Sequence, residues 1–278
     1  MELKCFDKAE DFYVHAESFL LEREAEHNLI LGICASIIHG QEYREQPPYL
    51  ATLEQNGAVV GAAVMTPPHN LVLSHMPVEA LPIIARDVRA LYGTIPGVNG
   101  SATLSKAFAE QWQALTGQPY HLGMAQRIYQ LTKVKPPMGV PGQLRRAGEA
   151  DRELLLAWLA GFYRDVRGEA GDAALSVERF LSSETRGLYL WEDGRPVSMA
   201  GYAGPTKNGI RIGAVYTPPE NRRRGYASAC VAAVSQLLLD QGRRFCFLYT
   251  DLSNPTSNHI YQSIGYKPIC DVDLYRFT

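Results

Sequence analysis

The stretch Val215-Tyr216-Thr217-Pro218-Pro219-Glu220-Asn221-Arg222-Arg223-Arg224-Gly225-Tyr226-Ala227-Ser228 gathers residue types that suit the binding of a phosphate. An apolar run ends at Thr217 and a proline turn follows. Three arginines then lead into Gly225 and the small residues that open a long apolar helix. A helix start leaves up to about four backbone N–H groups without partners and carries partial positive charge, so phosphate is a natural occupant. Gly225 and Ala227 lack bulk and let the backbone approach a pyrophosphate closely, and guanidinium groups match phosphate geometry. On the arginines alone, a solvated basic turn explains the run equally well. A nucleotide-binding loop does not, because neither G-x-x-x-x-G-K-[ST] nor G-x-G-x-x-G is present.

The spacing Arg222-x-x-Gly225-x-Ala227, after a strand ending in Val215-Tyr216-Thr217, resembles the acetyl-CoA pyrophosphate loop of the GNAT acetyltransferases, (Gln/Arg)-x-x-Gly-x-(Gly/Ala). Further on, Asn254-Pro255-Thr256-Ser257-Asn258-His259-Ile260-Tyr261-Gln262-Ser263-Ile264-Gly265-Tyr266 is similar to the family's Asn-x-x-(Ala/Ser)-x-x-x-Tyr-x-x-x-Gly-Phe pattern, with Tyr266 in place of Phe. The resemblance runs from about Gly187 to Tyr266 and, by element order, over the whole second half. It implies that the strand bearing Val215 splays from its neighbour to admit a pantetheine arm. The backbone at Val215, Tyr216 and Thr217 would hold that arm and the thioester carbonyl. Arg222 and the amides of Arg223, Arg224, Gly225, Tyr226, Ala227 and Ser228 would hold the pyrophosphate. Asn254 matches a residue that contacts the cofactor, and Tyr261 matches a phenol that protonates the departing thiolate. The implied activity is transfer of an acetyl group from acetyl-CoA to a primary amine, expected to be that of a small molecule. A peptide or protein amine is the alternative acceptor, and a catalytically inactive acyl-CoA sensor is the rival reading.

Such a reaction needs a neutral amine, a polarised carbonyl and a protonated leaving group. Backbone N–H groups supply the second and Tyr261 the third, with a packing tyrosine as its competing reading. Asp251 is the nearest acidic candidate for a base, ahead of Glu192 and Asp273, and it reads equally well as a turn residue before the Asn254 cap. The histidines show no metal-ligand spacing, so no metal is expected.

These residues need elements to position them. Val134 to Gly142 holds three prolines and two glycines in nine residues, which a helix or central strand cannot accommodate. The expected organisation is a first domain over residues 1–134, a linker at 135–142 and a second domain over 143–278. In the second half, strands are expected at Gln143–Ala147, Gly187–Trp191, Pro196–Gly204, Gly209–Tyr216 and Arg244–Thr250, with a final bent strand or strand pair at Pro268–Phe277. Helices are expected at Ala150–Arg164, Val177–Ser183, Gly225–Gln241 and Pro255–Ile264. Leu154, Leu155, Trp158, Leu159 and Phe162 recur at helical spacing in the first of these.

The first half predicts helices over His15–Leu31, Gly32–His39, Val78–Tyr92 and Ala102–Leu115. Strands at Tyr49–Gln55 and Ala58–Thr66 are joined by an Asn56-Gly57 hairpin turn. A third strand is expected at Leu71–His75, and Gln118–Val134 returns to the sheet. The fold class is therefore α/β (α+β), with a mixed, largely antiparallel sheet flanked by helices in the C-terminal half. The N-terminal half faintly resembles a degenerate version of the same family. Ala102–Leu115 stands for the cofactor helix there, and Pro96-Gly97-Val98-Asn99-Gly100-Ser101 stands for a loop that lacks its Arg or Gln. An unrelated structural or dimerising domain is the alternative.

Composition bounds the rest. The chain has 278 residues, 46% apolar and 20% charged, with net charge −2. This describes a folded protein with ample core and no global footprint for nucleic acid or anionic membrane. No apolar run approaches the roughly 18 residues that span a bilayer, and the first residues lack a signal-peptide pattern. A cytoplasmic monomer or homodimer is expected. Five cysteines without a C-x-x-C pair support neither a disulfide scaffold nor a zinc site, and Cys230, Cys246 and Cys270 read as buried apolar residues.

Overall fold

The computed structural model describes residues 1–39, 46–167 and 171–278. In chain order the elements are β1 (Glu2–Cys5), α1 (Ala9–Glu22), α2 (Asn28–Ile38), β2 (Tyr49–Gln55), β3 (Ala58–Met65), β4 (Leu71–Leu73), α3 (Leu81–Tyr92), β5 (Gly97–Ser101), α4 (Ala102–Thr116) and β6 (Tyr120–Leu131). They continue as β7 (Gln143–Arg146), α5 (Arg152–Arg167), α6 (Ala173–Ser182), β8 (Gly187–Glu192), β9 (Pro196–Ala203), β10 (Gly209–Tyr216), α7 (Tyr226–Asp240), β11 (Phe245–Asp251), α8 (Pro255–Ser263) and β12 (Lys267–Phe277). No helix among the described residues is long and apolar enough to cross a membrane.

The chain forms two compact units. One comprises Met1–Ile128, Thr250–Ser253 and Ile269–Thr278, and the other comprises Tyr129–Tyr249 and Asn254–Pro268. The division at 135–142 expected from composition therefore differs from the observed one in two ways. First, the C-terminal strand serves the first unit. Val272–Arg276 of β12 pairs antiparallel with Gly97–Ser101 of β5, and Tyr275 and Phe277 lie in that unit's core. Second, the proline-rich segment is tied to the second unit. Lys135 N–H donates to Ile264 O at 2.9 Å, and Trp191 Nε1–H donates to Pro141 O at 2.9 Å. Breaker residues mark where regular structure stops, whereas unit membership depends on non-local pairing.

In the first unit, Asn56 and Gly57 take φ values of 53° and 78°, the left-handed pair that a tight hairpin demands. They join β2 to β3 in antiparallel register. The order β1-β2-β3-β4-β5-β12 is antiparallel except for the parallel β4–β5 pair. Helices α3 and α4 cover one face through Leu81, Ile84, Val88, Phe108 and Trp112, while α1 and α2 supply Phe12, Leu20 and Ile30 to a second cluster. The predicted break between the first two helices at Leu31/Gly32 lies earlier, at residues 23–27, where His27 turns inward.

His27 is 2% exposed. Its Nδ1 faces Leu20 O at 3.0 Å and its Nε2 faces the His75 N–H at 3.1 Å. A carbonyl only accepts and an amide only donates, so the ring is neutral with its proton on Nδ1. A second proton would set N–H against N–H, and burial, together with the charges of His75 and Arg23, lowers the pKa against the opposing Leu20 bond and Glu26 charge. A base with a depressed native pKa contributes stability that is complete above its unfolded pKa of about 6.5 and is lost as pH falls below that value. Urea unfolding at about pH 7.5 and about pH 5.5 is expected to show a larger acid loss for wild type than for His27→Gln. Equal losses would remove His27 from this role.

The second unit pairs β11-β10-β9-β8-β7, again antiparallel except for the parallel β10–β11 pair. Helix α7 packs Cys230, Val231, Val234 and Leu238 on one face of the sheet. Helices α5 and α6 pack Leu155, Trp158, Leu159 and Val177 on the other. Arg145 fastens the edge, with a bidentate pair to Asp151 at 2.8 and 2.9 Å and a bond to Glu192 at 2.9 Å. Cys34, Cys230 and Cys246 are buried, Cys270 is only partly buried and Cys5 is exposed. Cys270 thus departs from the buried reading.

Candidate active site

The site begins where β10 and β11 part. Their parallel ladder covers Gly209–Arg211 against Phe245–Phe247 and, among the described residues, goes no further. On the opposite side of β10, Gly213 faces Gly201 but Tyr216 faces Met199. Three steps along β10 therefore match two along β9, which is a β-bulge. Ala214 carries it with φ 49°. The bulge turns the chain at Ala214–Val215, and the parting leaves the backbone of residues 212–216 without ladder partners on the β11 side. A backbone edge without ladder partners is what an amide-bearing arm would pair with. The β10–β11 ladder thus ends four residues before Val215. The bulge was not legible beforehand, since alanine gives no sign of a positive φ.

Beyond β10 the turn is held by its own side chains. Ser198 Oγ lies 2.8 Å from Thr217 Oγ1 and donates to Tyr216 O at 3.2 Å. Arg222 donates to Thr217 O at 2.9 Å and to Asp165 at 2.6 Å, and its guanidinium sits 5.9 Å from the Tyr216 ring centre. Arg222 thus braces the turn, a role that its motif position did not disclose. Arg223 has φ 64° and Gly225 φ 81°, so two left-handed residues two apart curl the chain into the start of α7. Arg223 and Arg224 are exposed, and among the described residues Arg223 makes no side-chain hydrogen bond or ion pair. Tyr226 is buried, and its hydroxyl donates to Asp193 at 2.6 Å. This pins the helix start to the β8–β9 turn and raises the phenol's pKa through that bond. The first-turn amides, at Tyr226, Ala227 and Ser228, have no carbonyl four residues back inside the helix. Charge, open amides and small side chains therefore coincide in one place.

Gly225 has a second reason to be glycine. A Cβ there would lie 2.9 Å from Val140 Cγ2, so the proline-rich segment packs directly against the loop.

Asn254 caps α8 by accepting from Ser257 N–H at 3.0 Å, with Pro255 at the first helical position. Tyr261 lies on the buried side of α8, edge-on to Tyr266 at 5.9 Å. Burial pushes its phenol up to about 12. Among the described residues its hydroxyl has no hydrogen-bond partner. Tyr266, the departure from Phe, shares a hydrogen bond with Ser235 Oγ at 2.8 Å, which satisfies the extra hydroxyl. Two of the three acidic candidates are engaged elsewhere. Asp251 ends β11 and accepts from Ser253 N–H and Oγ at 2.7 and 2.6 Å. Glu192 is paired with Arg145, and Asp273, on β12, has its pKa raised by burial and by Asp271.

The first unit repeats the strand–helix–parallel-strand order, but its helix after β4 is α3. The counterpart turn is therefore Ser74-His75-Met76-Pro77, whereas Pro96–Ser101 is mostly strand β5. This corrects the assignment of Ala102–Leu115 as the cofactor-helix counterpart. The turn holds no arginine or glycine. Ser74 N–H and Oγ bond to Ala62 O and N–H, and the His75 amide is taken by His27. The Ser74 and His75 donors are thus already committed.

Comparison with known proteins bears on the fold. Residues 192–275 match the family model described as FR47-like protein, which is GNAT-like. No curated protein sequence matches the chain. Among solved structures, an acetyltransferase of the GNAT family from Colwellia psychrerythraea is similar at 13% identity and TM-score 0.56, covering 100% of this chain and 99% of its own. A GCN5-related N-acetyltransferase from Kribbella flavida is similar at 15% identity and TM-score 0.58, covering 79% and 88%. A tandem GNAT protein from the clavulanic acid biosynthesis pathway is similar at 10% identity and TM-score 0.56, covering 100% and 98%. At these identities the likeness establishes the fold. The second unit has the fold of these acetyltransferases, and the fold match extends over the whole chain.

Proposed function

We propose that the protein transfers an acetyl group from acetyl-CoA to the primary amine of a small molecule, using the second unit. The observation that carries this reading is the coincidence of the β10–β11 parting, the curled basic loop at the start of α7 and the buried phenol of Tyr261. Acetyl-CoA supplies the acyl thioester. The residues fit it: the backbone at Val215 has no ladder partner on the β11 side, although the Tyr216 and Thr217 carbonyls are taken by Ser198 and Arg222. Arg223 and Arg224 offer charge, and the amides of Tyr226, Ala227 and Ser228 offer donors. In the reaction the amine nitrogen bonds to the carbonyl carbon, the C–S bond breaks, and the proton lost by the amine ends on the thiol. Tyr261 supports proton delivery to sulfur, and Asn254 frames its helix. With Asp251 and Glu192 engaged and Asp273 carried on β12 in the first unit, this reading assigns no base and has the amine react in its neutral form. The first unit, its counterpart turn closed, binds no acetyl-CoA in this account.

The test is release of free thiol from acetyl-CoA across a panel of small amines. The expected result is amine-dependent release whose kcat/KM rises about tenfold per pH unit until the amine's own pKa, near 10 for an alkyl amine. Acetyl-CoA binding without release to any small or peptide amine would instead fit an acyl-CoA sensor.

A further inference from the structure

Three arginines of the second unit converge without a counter-charge. Arg211 pairs with Ala203 across β9–β10, and Gly187 pairs with Tyr202 across β8–β9. Continuing that register one residue before β8 would set Arg186 and Arg211 on either side of the small Ala203 on one sheet face. This is the α5–α6 face, because side chains alternate along a strand and Leu188 and Leu190 pack there. Helix α6 crosses close by, as a Cβ on Gly201 would lie 3.3 Å from Phe180, and Arg179 occupies the helix's last turn. The Arg211 guanidinium bends towards Gly204, where a Cβ would lie 3.4 Å from Nη2, and a Cβ on Gly213 would meet nothing within 4 Å.

The charges around Arg186 are of one sign. Burial lowers its pKa first, and Arg179 and Arg211 lower it further, with no carboxylate opposing them. Glu178, beside Arg179, is taken by Arg152 at 3.2 Å. Glu184 is exposed and makes no ion pair among the described residues. Three uncompensated guanidinium groups, one half-buried, repel one another and favour any anion that fits between them.

We infer that Arg179, Arg186 and Arg211 bind an anionic group, a carboxylate or a phosphate ester, carried by the amine acceptor. The inference rests on the acetyl-transfer reading for its orientation. Arg211 is the last β10 residue laddered to both neighbours, and the bulge at Ala214 is three residues on, roughly 10 Å along the strand. An amine at the bulge and an anion at the arginines would belong to one small molecule.

Calorimetric titration with matched amines tests this: 4-aminobutyrate against butylamine, and phosphoethanolamine against ethanolamine. Wild type is expected to bind the anionic member of at least one pair more than about tenfold tighter, and which pair responds separates carboxylate from phosphate. Arg186→Gln/Arg211→Gln is expected to erase the difference while keeping its acetyl-CoA affinity and melting no lower than wild type, since it removes repulsion. Equal binding of charged and uncharged members by wild type, or a preference that survives the double substitution, would overturn the inference. Loss of acetyl-CoA binding in wild type, with the anion preference intact, would instead remove the acetyl-transfer reading and leave the anion site standing.

Discussion

Tyr261→Phe is expected to lower kcat by about 10²- to 10³-fold, the range of a positioned proton donor, while leaving KM for acetyl-CoA within a factor of about two. The substitution removes one oxygen from a residue that is 9% exposed and packed edge-on to Tyr266. That oxygen has no partner among the described residues, so no hydrogen bond is lost from the fold and the melting temperature is expected to stay put. A purely structural tyrosine would give the reverse pattern, with altered stability and unaltered kcat. The phenol's character also limits its role. Pushed up to about 12, it stays protonated through the assay range and adds no limb to the pH profile. An ordinary thiol titrates near 8.5, so outright transfer of that proton to a free thiolate climbs about 5 kcal/mol. On the proposed reading Tyr261 would therefore share its proton with the departing sulfur while the amine's proton becomes available, and would not ionise on its own.

The other large effect is expected at the α7 start, where Ala227→Asp puts a carboxylate among the first-turn amides. For the isolated helix this is favourable by about 0.3–1 kcal/mol, because a negative charge there complements the helix dipole, so the fold is expected to hold. For a pyrophosphate it is repulsive. Two like charges about 4 Å apart near a protein surface interact by about 4 kcal/mol, a loss of more than about 100-fold in affinity. Glu at Gly225 would be a poorer probe. It would strain a residue at φ 81° and press on Val140, so a folding defect would look like lost binding.

That contrast shows what was legible in the sequence. The loop, the cap at Asn254 and the Asn56-Gly57 hairpin were readable because each is a local demand of backbone chemistry on residue type. Most strands and helices were readable to within a few residues for the same reason. The approach of Val140 to Gly225, the bracing of Arg222 by Asp165 and the pairing of β12 with β5 were not, because each joins residues far apart in the chain. The bulge at Ala214 was hidden for another reason, since a residue with ordinary β-compatible chemistry is held at positive φ by its surroundings. The arginine cluster was equally silent: Arg179, Arg186 and Arg211 sit on three separate elements, and only the sheet register, continued one residue before β8, would set two of them on either side of Ala203.

The most direct measurement is calorimetric titration of acetyl-CoA into wild type and Ala227→Asp, with circular dichroism on both to confirm the fold. The account predicts saturable one-site binding to wild type and a loss of more than about 100-fold in the variant at unchanged secondary structure. A folded wild type that takes up no acetyl-CoA, or a variant that binds as tightly as wild type, would contradict the assignment of the α7 start as the pyrophosphate site.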